Sequence, residues 1–136
     1  MIEKMTPELF WLVLTVLMTS LMWVPYILNR IVENGPRNAL LDPQGRTETR
    51  VPWADRMMRA HRNAVENLVI FAPLVLVLHA IGISTYATAT ASAVYFLARA
   101  AHFVIYTLGI PVLRTLAFAV GFAAQMVLVA ALFKLV

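Results

Sequence analysis

Apolar residues run almost unbroken through four stretches of the chain, and the charged residues collect between them. No Asp, Glu, Lys or Arg occurs from Leu9 to Asn29, from Asn67 to Ala98, from Ala100 to Leu113 or from Thr115 to Phe133. A helix rises 1.5 Å per residue, so roughly 20 apolar residues cross about 30 Å of hydrocarbon. The first and last stretches each fit one crossing. The middle holds two, separated by the polar interruption Gly82-Ile-Ser-Thr85, and Gly109-Ile-Pro111 breaks the chain again, because proline cannot continue the preceding helix. The pattern predicts helices near 7–29, 55–81, 84–108 and 112–134, joined by a first loop over about 30–54. The runs are continuous rather than alternating, which excludes the strands of a membrane barrel. The first run is longer than a signal-peptide core of roughly 7 to 15 residues and no small-residue cleavage pattern follows it, so it reads as a retained span.

Composition sharpens this picture. Of 136 residues, 61% are hydrophobic and 13% charged, against about a quarter charged in soluble domains. The chain therefore reads as a single all-α, integral membrane, four-helix domain over 1–136. There is no cysteine, which excludes disulfides, thiolate metal sites and a protein-borne thiol nucleophile; any sulfur chemistry must come from a bound small molecule. No His and carboxylate set has metal-ligand spacing, so no metal is expected.

Charge sets the orientation. Seven of the eleven Lys and Arg residues, Arg30, Arg37, Arg46, Arg50, Arg56, Arg59 and Arg62, lie between the first span and the start of the second. The positive-inside tendency places that long loop in the cytoplasm, with both termini on the opposite side. The formal net charge of +4 is accounted for by basic residues beside anionic membrane lipid and calls for no nucleic acid.

The stretch Arg59-Ala-His-Arg-Asn-Ala-Val-Glu-Asn67 stands at the mouth of the second apolar run. Counting back from Ile81, Glu66 lies about 22 Å from the far surface, inside the cytoplasmic leaflet. Counting along the third helix from Ser84 puts Arg99 at a similar depth. Arg59, Arg62, Asn63 and Glu66 recur at helical spacing, as do Arg99, His102 and Tyr106, so each set is expected to share a face. A charge inside a span costs about 2.5 to 3.5 kcal/mol on the lenient scales, so these faces are expected to meet in a polar pocket open to the cytoplasm. A plainer reading stands beside this: Arg56, Arg59 and Arg62 snorkel to headgroups, and Glu66 serves only as a structural partner of Arg62 or Arg99.

These motifs resemble a known family. The segment "RMMRAHRNAVENLVIFAPLVL" is similar to the second-helix signature of the MAPEG family, the membrane-associated proteins of eicosanoid and glutathione metabolism. "ARAAHFVIY" is similar to the third-helix Arg-x-x-His-x-x-x-Tyr pattern, and "GIPVLRT" to the turn before the fourth helix. The similarity covers nearly the whole chain from "PYILNR" onward and is closest to the prostaglandin-synthesising and glutathione-transferring members, in a bacterial-type form.

The resemblance implies a homotrimer with glutathione bound as cosubstrate at each subunit interface. Arg30, Arg62, Asn63, Glu66, Arg99, His102, Tyr106 and Thr115 look like glutathione ligands, and Arg114 matches the arginine that assists the thiolate. It further implies transferase or peroxidase chemistry on lipophilic electrophiles entering from the bilayer. Phe118 departs from the pattern, standing where several active members have tyrosine, and this motivates an alternative: a non-catalytic lipid-binding or scaffold protein of the same fold.

Smaller features read as structural. Pro73 is expected to kink the second span. Ala117-x-x-x-Gly121 permits close helix approach, and Gln125 is placed to add an interhelical hydrogen bond. His79 reads as an interfacial or packing residue, and the segment from Val32 to Pro52 as an irregular connection.

Overall fold

The structure, a computed structural model, describes residues 4–42, 45 and 49–136; Arg46 of the basic loop lies outside them. Six helices follow in chain order: α1 (Pro7–Leu21), α2 (Trp23–Asn34), α3 (Pro36–Leu40), α4 (Pro52–Ala80), α5 (Tyr86–Leu108) and α6 (Pro111–Leu132). Helices α1 and α2 meet at the buried Met22, whose N–H bonds Thr19 O at 3.3 Å, and together form one crossing over Pro7–Asn34. With α4, α5 and α6 this makes four segments long and apolar enough to cross a membrane, as the hydrophobic pattern predicts. We refer to the end carrying α3 as the loop end and to the opposite one as the terminal end.

The helix boundaries follow local chemistry. Thr6 caps α1 by accepting the Leu9 N–H at 3.4 Å, and Pro7 takes the first helical position, where a missing N–H costs nothing. Thr85 opens α5 with a reciprocal capping box to Thr88. At the other end of α5, Gly109 adopts φ +78° and Pro111 starts α6 immediately, which turns the chain in two residues.

The expected loop over about 30–54 is more ordered than its composition suggests. The first span runs on to Asn34, a short helix occupies Pro36–Leu40, and α4 begins at Pro52. Gly35 at φ +81° ends one helix and Pro36 opens the next. Glu33 pins the returning chain, accepting from Asn29 Nδ2 at 3.1 Å and from the Arg50 N–H at 3.0 Å, while Asn29 also donates to Thr49 Oγ1 at 3.1 Å.

In the bundle, α4 and α5 pack together, with α1 on one side of the pair and α6 on the other. Lipid tails are as apolar as leucine, so helix association rests on close packing rather than on water exclusion. Small residues supply it: Ala60, Ala64, Ala91, Ala98, Gly121, Ala124 and Ala131 are all buried. A Cβ at Gly121 would lie 3.6 Å from Arg99 Cδ and 3.8 Å from Ala98 Cβ, so this glycine sets how closely α6 approaches α5. At the centre Phe71 stacks on Tyr95, with ring centroids 3.9 Å apart. Helix α4 is continuous through Pro73.

Two stripes place the chemistry. From Thr88 to His102, each turn of α5 buries a polar side chain: Thr88, Ser92, Tyr95, Arg99 and His102. On α4 the opposite holds, and Arg59, Arg62, Glu66, Ile70, Pro73 and Val77 form an exposed stripe along the length of the span.

Candidate functional site

Arg99 anchors the first cluster. The residue, on α5, is 2% exposed, with the hydrocarbon part of its side chain in the space that Gly121 leaves open. Nη2 donates to Asn63 Oδ1 of α4 at 2.6 Å and to His102 Nδ1 at 3.4 Å, and the buried Nε has no hydrogen-bond partner. A guanidinium only donates, so Nδ1 of His102 is the acceptor and the neutral ring carries its proton on Nε2. Among the described residues the one ion pair is the surface contact Arg59–Asp55 at 3.0 Å. The buried Arg99 charge thus has no carboxylate beside it.

Toward the loop end the cluster opens. His102 meets the Tyr106 ring edge-on, with centroids 5.5 Å apart, and the Arg114 guanidinium lies over that same tyrosine ring, 4.6 Å from its centroid. His102, Tyr106, Arg114, Thr115 and Phe118 line a cavity of about 220 Å³. Thr115 turns back on its own helix and donates to Pro111 O at 3.1 Å. Phe118 lies 6.3 Å, centroid to centroid, from His102, so the wall of this cavity nearest α6 is a hydrocarbon ring where a tyrosine would offer a hydroxyl.

The second cluster lies elsewhere on the same protomer. Arg30 and Arg62, with Thr49, Asp55, Met58, Arg59 and Gly45, line a polar cavity of about 450 Å³ between α2 and α4. Arg30 Nη2 reaches Met58 Sδ at 3.8 Å. Beside it, Tyr26 Oη and His61 Nδ1 are within hydrogen-bond distance at 2.7 Å.

The expected single pocket is therefore divided within one chain. Asn63, Arg99, His102, Tyr106, Arg114 and Thr115 come together, whereas Arg62 and Arg30 face the other cavity and Glu66 is exposed and lines neither. The reason is angular. Consecutive helix positions differ by about 100°, so Arg62 and Asn63 cannot point the same way. Asn63 joins the buried flank of α4 with Ala60, Asn67 and Phe71, and Arg62 joins the exposed stripe.

Three polar arrangements escape the sequence reading. Glu8, 1% exposed in α1, accepts from the Ser84 hydroxyl at 3.1 and 3.0 Å and from Thr88 Oγ1, which ties the terminal end of α1 to α5. Its signal is weak, a lone acid at the edge of an apolar run. The Tyr26–His61 pair crosses 35 positions and has no sequence spacing to reveal it. Arg56 Nε donates to Thr107 O at 2.9 Å, closing the carbonyl end of α5. Gln125 Nε2 does reach the Asn67 carbonyl, at 3.2 Å, an interhelical bond of the kind its position predicts.

A buried arginine, a histidine and a tyrosine thus recur at intervals of three and four on α5, near an asparagine of α4 and an arginine at the start of α6. The MAPEG family profile matches residues 9–134. The chain belongs to the MAPEG family. No individual curated protein matches it, so membership covers the multi-pass membrane fold, while activity rests on the site itself. Among the described residues, no group of three or more His, Asp or Glu could hold a metal ion in this MAPEG protein.

Proposed function

We propose that this MAPEG protein is a glutathione-dependent transferase or peroxidase acting on lipophilic electrophiles, with its site completed where two copies of the chain meet in a homotrimer. The observation that carries the proposal is the buried Arg99, a cation with no carboxylate partner among the described residues, opening onto Arg114. Glutathione offers two carboxylates, one ammonium and a thiol. Guanidiniums suit the carboxylates through paired, charge-assisted hydrogen bonds. Glu66 is exposed within a membrane span, where an uncompensated charge costs about 2.5 to 3.5 kcal/mol; an ammonium would neutralise it.

The division into two clusters supports the interfacial reading. The α4 stripe that carries Arg59, Arg62 and Glu66 is unburied within one chain, and a neighbouring copy packed against it would bring its Arg99 and Arg114 cluster toward this copy's Arg30 and Arg62 cavity. The basic loop end would then face the cytoplasm, where glutathione is supplied, and the apolar second substrate would arrive from the bilayer. Arg114 stands in the first turn of α6, where its charge and the helix N-terminus together lower the pKa of a nearby thiol from about 8.5. The thiolate then adds to an electrophilic carbon with loss of a leaving group, or attacks a peroxide oxygen and breaks the O–O bond, giving glutathione sulfenic acid and an alkoxide that takes a proton; a second glutathione converts the sulfenic acid to the disulfide and water.

Calorimetry of glutathione on detergent-purified protein tests this. Saturable binding tighter than about 1 mM is expected, weakened by Glu66→Gln. Arg114→Ala is expected to lower the rate at neutral pH about tenfold and to move the rate–pH profile to higher pH, since one unit of thiol pKa corresponds to about 1.4 kcal/mol. Absence of saturable binding by the wild type contradicts the proposal. Phe118 favours a second reading, a lipid-binding scaffold of the same fold. It predicts glutathione binding or lipid binding without turnover of a chromogenic electrophile or a lipid hydroperoxide above the rate with glutathione alone.

A further inference from the structure

The segment around α3 carries apolar side chains that no part of the fold covers. Val32, in the last turn of α2, is 83% exposed, Leu40 is 80% exposed and Leu41 is 66% exposed. Among the helices, α3 packs against α2 alone. Leu40 and Leu41 follow Arg37 by three and four positions, so the two leucines and the arginine share one side of this turn of helix. Arg37 and Arg50 are both exposed, at the two ends of the connection.

Span length sets the depth of this segment. The crossing Pro7–Asn34 has 28 residues, about 42 Å at 1.5 Å per residue, close to the roughly 40–45 Å of a bilayer with its headgroups. The chain breaks at that level. Gly35 adopts φ +81°, and Pro36 starts a helix in a new direction. A continuous helix would have carried Leu40 and Leu41 away into water, whereas the break holds them beside the headgroup layer. The bonds from Glu33 to the Arg50 N–H and from Asn29 to Thr49 fix the return of the chain onto α2, so α3 projects as a tethered loop rather than a free tail.

We propose that Val32, Leu40 and Leu41 form an interfacial anchor that inserts into the bilayer surface at the loop end, with Arg37 and Arg50 bound to the phosphates of anionic lipid. Apolar side chains with basic ones beside them suit an anionic membrane surface, and an arginine stem lies along the apolar layer while its charge stays among the headgroups. The occupant is lipid rather than protein: the uncovered leucines lie at headgroup depth, next to a crossing already in the bilayer, and of the charges around them Arg37 and Arg50 are exposed with no carboxylate partner among the described residues, whereas Glu33 accepts from Asn29 and the Arg50 N–H and Asp42 is half-buried. The anchor would hold the wall of the Arg30 and Arg62 cavity, which Thr49 and Gly45 complete, against the membrane. This inference does not depend on glutathione chemistry.

The absence of cysteine makes the test direct. Full-length protein carrying Leu40→Cys is labelled with a nitroxide and reconstituted in vesicles of phosphatidylcholine with or without phosphatidylglycerol; Val32→Cys is a second labelling site. With phosphatidylglycerol, both labels are expected to be relaxed more strongly by oxygen than by a water-soluble nickel chelate. Adding Arg37→Gln, or omitting phosphatidylglycerol, is expected to lower the ratio of docked to undocked label, by about fivefold for the single arginine. Preferential relaxation by nickel in both membranes overturns the anchor. Spin–spin broadening from a neighbouring copy, without oxygen preference, overturns it in favour of a protein contact. A ratio indifferent to phosphatidylglycerol and to Arg37→Gln overturns the assignment to anionic lipid.

Discussion

Two buried polar groups show how single residues hold this protein together. Arg99 keeps its charge inside the bundle through one strong acceptor, Asn63 Oδ1 at 2.6 Å. Asn63→Leu removes that acceptor and leaves a buried donor unmet, a loss of about 1.5 to 3 kcal/mol for a bond to a charged group; a clear drop in thermal unfolding temperature in detergent is expected. An unchanged midpoint would mean that Arg99 finds another acceptor. Glu8 at the terminal end works in the same way. Glu8→Ala strips the acceptor from Ser84 and Thr88 and is expected to destabilise by about 1 to 3 kcal/mol, with Glu8→Gln closer to wild type because it keeps an acceptor oxygen. The two residues were unequally legible in the sequence. Arg99 interrupts a long charge-free run, so its position alone announces a buried ion. Glu8 sits at the edge of such a run and reads as solvated until the fold brings Ser84 and Thr88 to it.

At the scale of elements, the turns and crossings decide where Arg114 stands. Gly109 combines φ +78° with close contact to Arg56, whose Cζ would lie 3.2 Å from an added Cβ. Gly109→Ala therefore strains the backbone by about 1 to 2 kcal/mol and pushes on the arginine that caps α5. The expected result is a lower unfolding temperature together with weaker glutathione binding, as the start of α6 shifts. Gly121 is more tolerant. Gly121→Ala makes only ordinary contacts at 3.6 Å and beyond, so near wild-type stability is expected, whereas Gly121→Leu would displace the Arg99 stem. The four crossings were legible because apolar runs and breaking residues mark them without any tertiary information. The helical continuation to Asn34 and the turn Pro36–Leu40 were not, since polar residues in a connection read as irregular until side chains such as Glu33 are seen to pin it.

For the whole molecule, the decisive fact is that the residue set expected to form one pocket is split across two sides of a single chain. Spacing along α4 placed Arg62, Asn63 and Glu66 on a common arc, but it could not show that neighbouring positions on that arc serve different neighbours. The exposed stripe bearing Glu66 asks for a partner inside the membrane, and in the proposal above that partner is a second copy. Mixed oligomers test this central claim most directly. One copy carries Arg30→Ala and Arg62→Ala, which empty one cluster; the other carries Arg99→Gln and Arg114→Ala, which empty the second. Each homo-oligomer is expected to bind glutathione poorly. Co-expressed and purified through two different tags, the mixed trimers are expected to recover saturable glutathione binding by calorimetry at one site per trimer, because each mixed ring contains one interface with both clusters intact. Mixed trimers that bind no better than either parent would contradict a site shared between copies.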